Sequence, residues 1–466
     1  MKIPEAIKTA LESGDETRLQ TICDDLHPAD AAAAFTALDE NLQLRFAQCL
    51  NNEALSLITS FLPAPESADL IAGLEEKDQS AILESLPDDI VTDVIQEADE
   101  NLQQSYVELL SEEKKDAAET LLGYPEDSAG GRMTTAFATL RENMTIRQAI
   151  DALETTKENA EILARIYVVD EENRILGKVR LRDLTFNSRS TGIKDVMDHE
   201  KLAIRAEADQ EEALKMMLKY DMLALPVIDI ESRLLGIITH DDALEIQEEE
   251  STEDLEKAAA IFGERDEEGY LKSPVLSHFK RRALWVFFLA IVAILSGLVI
   301  FHYENLLDRV FILAVYMPMI VATGGNTGAQ AATMVIRAMS LGEFTPSEFF
   351  RVVWKELRIG LALGALLGVL IGVGSWILIK TFISSEQLVV MADNHELTRL
   401  VAIVGIALTI QVTVSTCIGA ALPMLARSCK LDPAVVASPA ITTIVDVLGL
   451  LIYFSIATAM LGINPG

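Results

Sequence analysis

One carboxylate, Asp446, stands inside the last apolar stretch of this 466-residue chain, in the run Thr442-Thr443-Ile444-Val445-Asp446-Val447-Leu448-Gly449-Leu450. An ionised aspartate at bilayer depth is costly. Such residues face a bundle interior or a wet pathway and mark an ion or substrate route. The natural partner of a lone buried negative charge is a cation. An earlier apolar stretch holds Pro318 and then Ala322-Thr323-Gly324-Gly325-Asn326-Thr327-Gly328-Ala329-Gln330. Three glycines, a proline and several amides in one span predict a broken or kinked helix. Irregular backbone at that depth is tolerated where protein buries it or where it lines a water-filled cavity. Close packing through small residues is the competing reading, and a pore or gate role is preferred here.

These residues must be carried by membrane-spanning elements. The runs 283–300, 310–336, 359–379, 400–426 and 434–461 are apolar and long enough to cross ~30 Å of hydrocarbon. The third run repeats glycine at Gly360, Gly364, Gly368 and Gly372, with Gly374 close by, which favours helix packing. The fourth carries Gln411, Thr413, Ser415, Thr416, Gly419 and Pro423. Its polar groups face a pore or bond back to the helix, and both readings stay open. Pro433 and Pro439 bracket the start of the fifth. Lys280, Arg281, Arg282, Arg337, Arg351, Lys355, Arg358, Arg427 and Lys430 flank one side of the five spans, against Arg309, Lys380 and Arg399 on the other. The positive-inside bias then places the N-terminus in the cytoplasm and the C-terminus outside, in a cytoplasmic (inner) membrane.

The charge is divided unevenly. Residues 1–270 carry 61 acids and 25 bases, near −36, whereas residues 271–466 carry 10 acids and 13 bases, near +3. The acidic half attracts cations and is a poor partner for nucleic acid or an anionic lipid surface. Four scattered cysteines and six unclustered histidines give no zinc motif and no disulfide framework. The first residues lack an apolar core, so no cleaved signal peptide is expected. No nucleophile–base set, P-loop or metal motif points to an enzyme.

The acidic half contains repeats. Val168-Val169-Asp170-Glu171-Glu172-Asn173-Arg174-Ile175-Leu176-Gly177 is matched 59 residues later by Val227-Ile228-Asp229-Ile230-Glu231-Ser232-Arg233-Leu234-Leu235-Gly236. Each copy reads as strand, acidic turn, strand, then a helix opening at Asp183 or Asp242. The repeat resembles a tandem CBS pair, a module that responds to adenosyl ligands or metals. Thr239-His240-Asp241-Asp242 is similar to the family's ribose-contacting Thr/Ser-x-x-Asp, whereas Arg180-Leu181-Arg182-Asp183 lacks the hydroxyl. The resemblance implies ATP or another adenosyl nucleotide at Thr239 and Asp242, with a purely structural β-α pair as the alternative. Residues 1–130 show a looser helical repeat, with Leu26-His27-Pro28-Ala29-Asp30 beside Leu86-Pro87-Asp88-Asp89 and Asp39–Gln43 beside Asp99–Gln103. Short stacked helices follow. Residues 244–264 read as a strong, acid-dense helix capped at Gly263.

In this order the parts resemble the MgtE family of magnesium channels. The most specific matches are Tyr124-Pro125-Glu126-Asp127-Ser128-Ala129-Gly130-Gly131, Gly324-Gly325-Asn326-Thr327-Gly328, Thr252-Glu253-Asp254, and the run from Asp446 to Tyr453. The fold implied is multidomain: an all-α superhelical N domain (1–130), an α/β tandem CBS pair (131–247), an acidic connecting helix (248–278) and a five-helix transmembrane domain (279–466). The resemblance implies a homodimer in the lipid bilayer that passes Mg²⁺, with Co²⁺, Ni²⁺ and Mn²⁺ as further permeants. Asp446 corresponds to the pore carboxylate on the dimer axis, with Thr442, Thr443, Asn326 and Gly325 around it. The sensor set is Asp221, Asp242, Glu245, Glu253 and Asp254, joined by Asp209, Asp88 and Asp89. Ala329 stands where relatives often carry Asn, and Glu245 replaces a shorter Asp. The rival expectation is a transporter of divalent cations coupled to Na⁺ or H⁺.

Overall fold

The computed structural model describes residues 3–13, 19, 21–23, 26–156, 165–199, 202–263, 270–271, 273–382, 394–436 and 438–463. The chain forms two compact units, Met1–Glu250 with Asp266–Lys272, and Ser251–Arg265 with Ser273–Gly466.

The first unit begins with helices of 8 to 11 residues, from Ile3–Ser13 to Glu112–Leu121. Local chemistry sets their starts. The Asp39 side chain accepts from Leu42 N at 3.1 Å, Asn51 from Ala54 N at 2.8 Å, and Pro28 sits in a first turn. Each middle helix packs on the next but one, around Phe35, Phe46, Leu55, Ile71, Ile82, Leu83 and Tyr106. The repeat read in the sequence has a structural basis in three glutamines. Gln43, Gln79 and Gln103 each turn the side-chain amide back onto carbonyls that close the preceding helix, at Phe35, Ile71 and Leu74, and Gln96 and Ala98.

Two three-stranded sheets follow. In the first, β1 (Thr139–Arg141) runs parallel to β2 (Arg165–Val169), which pairs antiparallel with β3 (Ile175–Arg180). In the second, β4 (Ile204–Arg205), β5 (Ala224–Ile228) and β6 (Leu234–Thr239) repeat that order and sense. The 59-residue offset holds down to single turns. Asp170 Oδ1 accepts from Glu172 N and Arg174 N, and Asp229 Oδ1 does the same for Glu231 N and Arg233 N. Asn173 and Ser232 both take left-handed backbone, at φ 65° and 64°.

The acidic connecting helix runs His240–Ala258. It starts earlier than the sequence suggested and ends five residues before Gly263. Ala260, at φ 58°, is the left-handed residue of the closing turn, with Ile261 N on Glu256 O (2.9 Å) and Ala260 N on Lys257 O (2.9 Å). An alanine does here what the sequence reading assigned to a glycine. Glu264, counted there as part of the helix, lies outside the described residues.

Five long apolar helices make up most of the second unit: Val275–His302, Ile312–Ser340, Phe349–Phe382, Asn394–Ser428 and Ser438–Leu461. Four have the length and hydropathy of a membrane span, and the second falls short because of its own polar residues. That second helix is continuous through Pro318 and its glycines, so the break expected there is absent. Gly324 and Gly328 serve close packing. A Cβ on Gly328 would meet Ser415 O and Ile441 Cγ2, and Gly328 O itself lies 2.2 Å from a Cβ built on Gly419. The third helix lays Gly360, Gly364 and Gly368 on Thr416, Thr413, Thr409 and Gly405 of the fourth, as the four-residue spacing suggested. Tyr453 anchors the fifth helix by donating from Oη to Leu313 O at 3.0 Å, beside the stacked rings of Tyr303 and Phe454.

Candidate functional site

Asp446 lies two turns into the fifth helix, Ser438–Leu461, and faces Gly325 of the second. A Cβ added to Gly325 would stand 2.9 Å from Thr442 Cγ2 and 3.6 Å from Asp446 Oδ1. Absence of a side chain at Gly325 therefore lets the second helix reach the carboxylate and the preceding turn. Asp446 Oδ1 is buried and takes no hydrogen bond from any described residue. Gly325, Thr442 and Asp446 thus come together. Asn326 is exposed on the surface of the single chain, and Thr443 Oγ1 donates back to Pro439 O at 2.9 Å. On the fourth helix the open question resolves by residue. Thr413 bonds back to Thr409 O, Thr416 to Thr413 O and to Glu356 O of the third helix, while Gln411 reaches the fifth helix at Val445 O.

In the first unit the expected sensor acids divide. Asp89 and Asp242 are electrostatic neighbours. Burial pushes the Asp89 carboxyl up to about 7, and the negative charges of Asp242 and Asp88 add to that while its own backbone hydrogen bonds oppose it. Asp89 Oδ1 is buried with no partner among the described residues. Burial also raises Asp242, against hydrogen bonds from Thr239 N (2.9 Å) and Thr239 Oγ1 (2.5 Å). These bonds cap the connecting helix, and Asp241 Oδ1 lies equally near Thr239 Oγ1, at 2.5 Å, so the two carboxylates compete for its single proton. Glu245 follows one turn on, exposed. Asp88 is already engaged, by a short hydrogen bond from Thr135 Oγ1 and by Lys114 Nζ at 3.8 Å.

Other expected acids stand elsewhere. Asp209 accepts from Glu211 N at 2.8 Å and so caps the helix Gln210–Tyr220. Asp221 ends that helix in the left-handed region, at φ 50°, and is exposed. Glu253 pairs with Lys257 Nζ at 2.6 Å. Lys257 also meets Asp432 Oδ2 at 3.1 Å, in the connection between the fourth and fifth apolar helices. Asp254 is exposed beside Glu253. Among the described residues, no three carboxylates, thiols or imidazoles converge closely enough to hold a metal ion.

Two residues escaped the sequence reading. Asp93, one turn after Asp89, is pushed up to about 7 by burial. Arg132 draws it down, and Asp89, Glu126 and Glu249 drive it up. Arg132 itself donates from Nη2 to Glu249 and from Nε to Gln210 Oε1 at 2.9 Å. Only the i, i+4 spacing of Asp89 and Asp93 hinted at a shared helix face. The basic centre lies 39 residues further along the sequence.

Comparison with known proteins accounts for most of the chain. A family model described as a divalent cation transporter, MgtE, matches residues 317–456. The MgtE intracellular N domain matches 4–127, and the CBS domain matches 129–189 and 193–249. The chain is 32% identical to the magnesium transporter MgtE of Thermus thermophilus, with 99% of each chain covered. It is 29% identical to that of Bacillus subtilis, covering 97% of this chain and 96% of the relative. A crystal structure of the cytosolic domain of the Mg²⁺ channel MgtE in complex with ATP matches with TM-score 0.50 and 32% identity, over 52% of this chain and 99% of that one. Likeness of this extent, over helical domain, CBS pair and apolar helices alike, places the chain in the MgtE family of magnesium transporters.

Proposed function

We propose that the protein is a channel for passive Mg²⁺ entry, formed by two copies of the chain. The Asp446 carboxylates of the two copies face each other across a twofold axis in the cytoplasmic membrane. The observation that carries this is the buried, unpartnered Asp446 Oδ1 against Gly325 and Thr442. Mg²⁺ demands octahedral oxygen ligands and keeps several waters, so one or two carboxylates suffice to hold it. Two carboxylates repel unless a divalent cation neutralises both. The hydrated ion sits between them, with Thr442, Thr443, Asn326 and the Gly325 backbone contacting its waters. Co²⁺, Ni²⁺ and Mn²⁺ share the charge and the ligand preference, and they are the natural competitors.

Closure follows from the acids of the first unit and the connecting helix. Asp89, Asp242 and Glu245 repel one another when internal Mg²⁺ is low, and so do Glu253, Asp254 and Asp432. Rising Mg²⁺ bridges them and favours the compact state by its better affinity for it. Asp221 acts at the surface between the two copies, while Asp88 and Asp209 contribute charge and hold their local structure. The ATP complex of the relative supports a nucleotide at the CBS pair; the resemblance of Thr239-His240-Asp241-Asp242 to the ribose-contacting motif assigns its ribose to Thr239 and Asp242.

The test is Mg²⁺ flux into proteoliposomes with the intact protein and Asp446→Asn. Loss of flux in the variant, with wild-type flux indifferent to Na⁺ and proton gradients, is the expected outcome. Equal flux from Asp446→Asn overturns the pore assignment, and gradient-driven accumulation overturns the passive channel.

A further inference from the structure

Gln411 is buried completely in the fourth apolar helix. Its Nε2 donates to Val445 O, the residue before Asp446, at 3.0 Å. Its Oε1 is buried too and accepts from no described group. The carboxamide fills a slot made by two glycines on two other helices. A Cβ on Gly324 would stand 2.3 Å from Nε2, and one on Gly449 would stand 2.5 Å from it and 3.3 Å from Oε1. Gly324 precedes Gly325, whose absent side chain admits Thr442 and Asp446. One side-chain amide is therefore wedged between the second and fifth helices at the level of the pore carboxylate.

Packing alone does not account for a glutamine here. Leucine or methionine fills such a slot without stranding an acceptor, and an unpaired polar atom in an apolar interior is penalised. An interhelical hydrogen bond in a membrane contributes only about 0.6–2 kcal/mol, so the stranded oxygen offsets much of it. What the amide adds is direction. It fixes the rotation of the turn that bears Asp446 relative to Gly325.

We infer that Gln411 is a positioning residue for cation selection, acting through Asp446. The inference rests on the proposed role of Asp446 in the pore. Through Val445, Gln411 holds the carboxylate where it meets the water shell of a small divalent ion. Loosening that turn degrades the fit to Mg²⁺ while leaving a negative pore that still conducts. A role in selection predicts a rise in the half-saturating concentration and weaker preference for Mg²⁺ over the larger Ca²⁺, with maximal flux altered less.

The experiment measures initial flux against external Mg²⁺, with and without competing Ca²⁺, in proteoliposomes. The variants are Gln411→Leu, Gln411→Met, Gly449→Ala and the Gln411→Leu/Gly449→Ala pair, with Asp446→Asn as control. An interhelical bond of that strength, once lost, raises the half-saturating Mg²⁺ by about threefold to thirtyfold. Gln411→Met is the variant to use if the leucine protein does not fold. Gly449→Ala pushes the amide off Val445 and has the same effect, and the pair is no worse than either single change. Unchanged half-saturation and unchanged Ca²⁺ competition in folded Gln411 variants overturn the inference. So do additive effects in the pair, which signify packing damage. Flux that survives Asp446→Asn instead overturns the underlying pore reading, so the two failures are distinguishable.

Discussion

At the scale of single residues, the first unit keeps acids where water is scarce. Asp89 and Asp93 are both pushed up to about 7, each chiefly by burial. For Asp93 the sign of the pH dependence is fixed. The folded state holds this proton more tightly than the unfolded chain does, whose value is near the ordinary 3.8. Between roughly pH 4 and 7 the folded state binds more protons, so stability falls as pH rises through that window. Asp93→Asn removes the slope. The shift from 3.8 to about 7 bounds the gain in stability above pH 7 at ~4 kcal/mol, and the lost attraction to Arg132 reduces it. The expected result in Mg²⁺-free buffer is a higher unfolding temperature for Asp93→Asn at pH 7.5 and a much smaller difference at pH 5. A lower unfolding temperature at both pH values would show that the pairing with Arg132 outweighs the burial of the charge. Asp446 was legible from its surroundings in sequence, because an ionisable group in an apolar run needs no partner to stand out. Asp93 and Arg132 were not, since only the fold brings them together.

At the scale of elements, the connecting helix His240–Ala258 is held by basic residues as well as shaped by acids. Lys257 joins Glu253, on its own helix, to Asp432. Partial burial works against its positive charge, and the two carboxylates more than offset that, holding its pKa above the usual lysine range. Arg281 of the first apolar helix pairs with Glu256, and Phe262 N donates to Arg281 O at 3.2 Å. These contacts hold the end of the helix without any divalent ion. Lys257→Met removes a cation that neutralises Glu253 and Asp432, so on the proposed mechanism closure depends on Mg²⁺ alone at that place. A partly exposed pair contributes about 0–1 kcal/mol, so closure shifts to higher internal Mg²⁺ by at most about fivefold, with more flux at low internal Mg²⁺. Flux measured against internal Mg²⁺ checks this, and an unmoved threshold means the lysine has no part in closure. The same elements show where sequence patterns suffice. The CBS repeat was readable because Asp170 and Asp229 build identical turns from identical local chemistry. The third helix was readable because its glycine spacing matches one helix face. The second helix was not. Its glycines suit both a break and tight packing, and the contacts of Gly324 and Gly325 with Gln411, Val445 and Thr442 come from other helices, which no local pattern displays. The helix end at Ala258 was missed because alanine seldom takes a left-handed closing turn.

At the scale of the whole molecule, almost all the negative charge lies in residues 1–270, near −36, while residues 271–466 are near +3. Repulsion among exposed charges is screened beyond ~8 Å at physiological ionic strength. On the proposed mechanism the acids that matter for regulation are therefore those held close and partly dry, such as Asp89 and Asp242, and monovalent salt is a poor substitute for Mg²⁺ there. The structural boundary falls at Glu250, and residues 251–265 belong with the apolar helices. Deletion of residues 1–250 therefore leaves the second unit whole, with Lys257–Asp432 and Arg281–Glu256 in place. On the proposed mechanism that shortened chain conducts Mg²⁺ and no longer closes as internal Mg²⁺ rises, because Asp89, Asp242 and Glu245 are gone and Glu253, Asp254 and Asp432 do not suffice without them. In the intact protein, Mg²⁺ slows proteolysis of the first unit, and KCl at matched ionic strength does not. Closure by Mg²⁺ that persists in the shortened chain would move the sensor into residues 251–466, and equal protection by KCl would reduce the acidic cluster to a general charge effect.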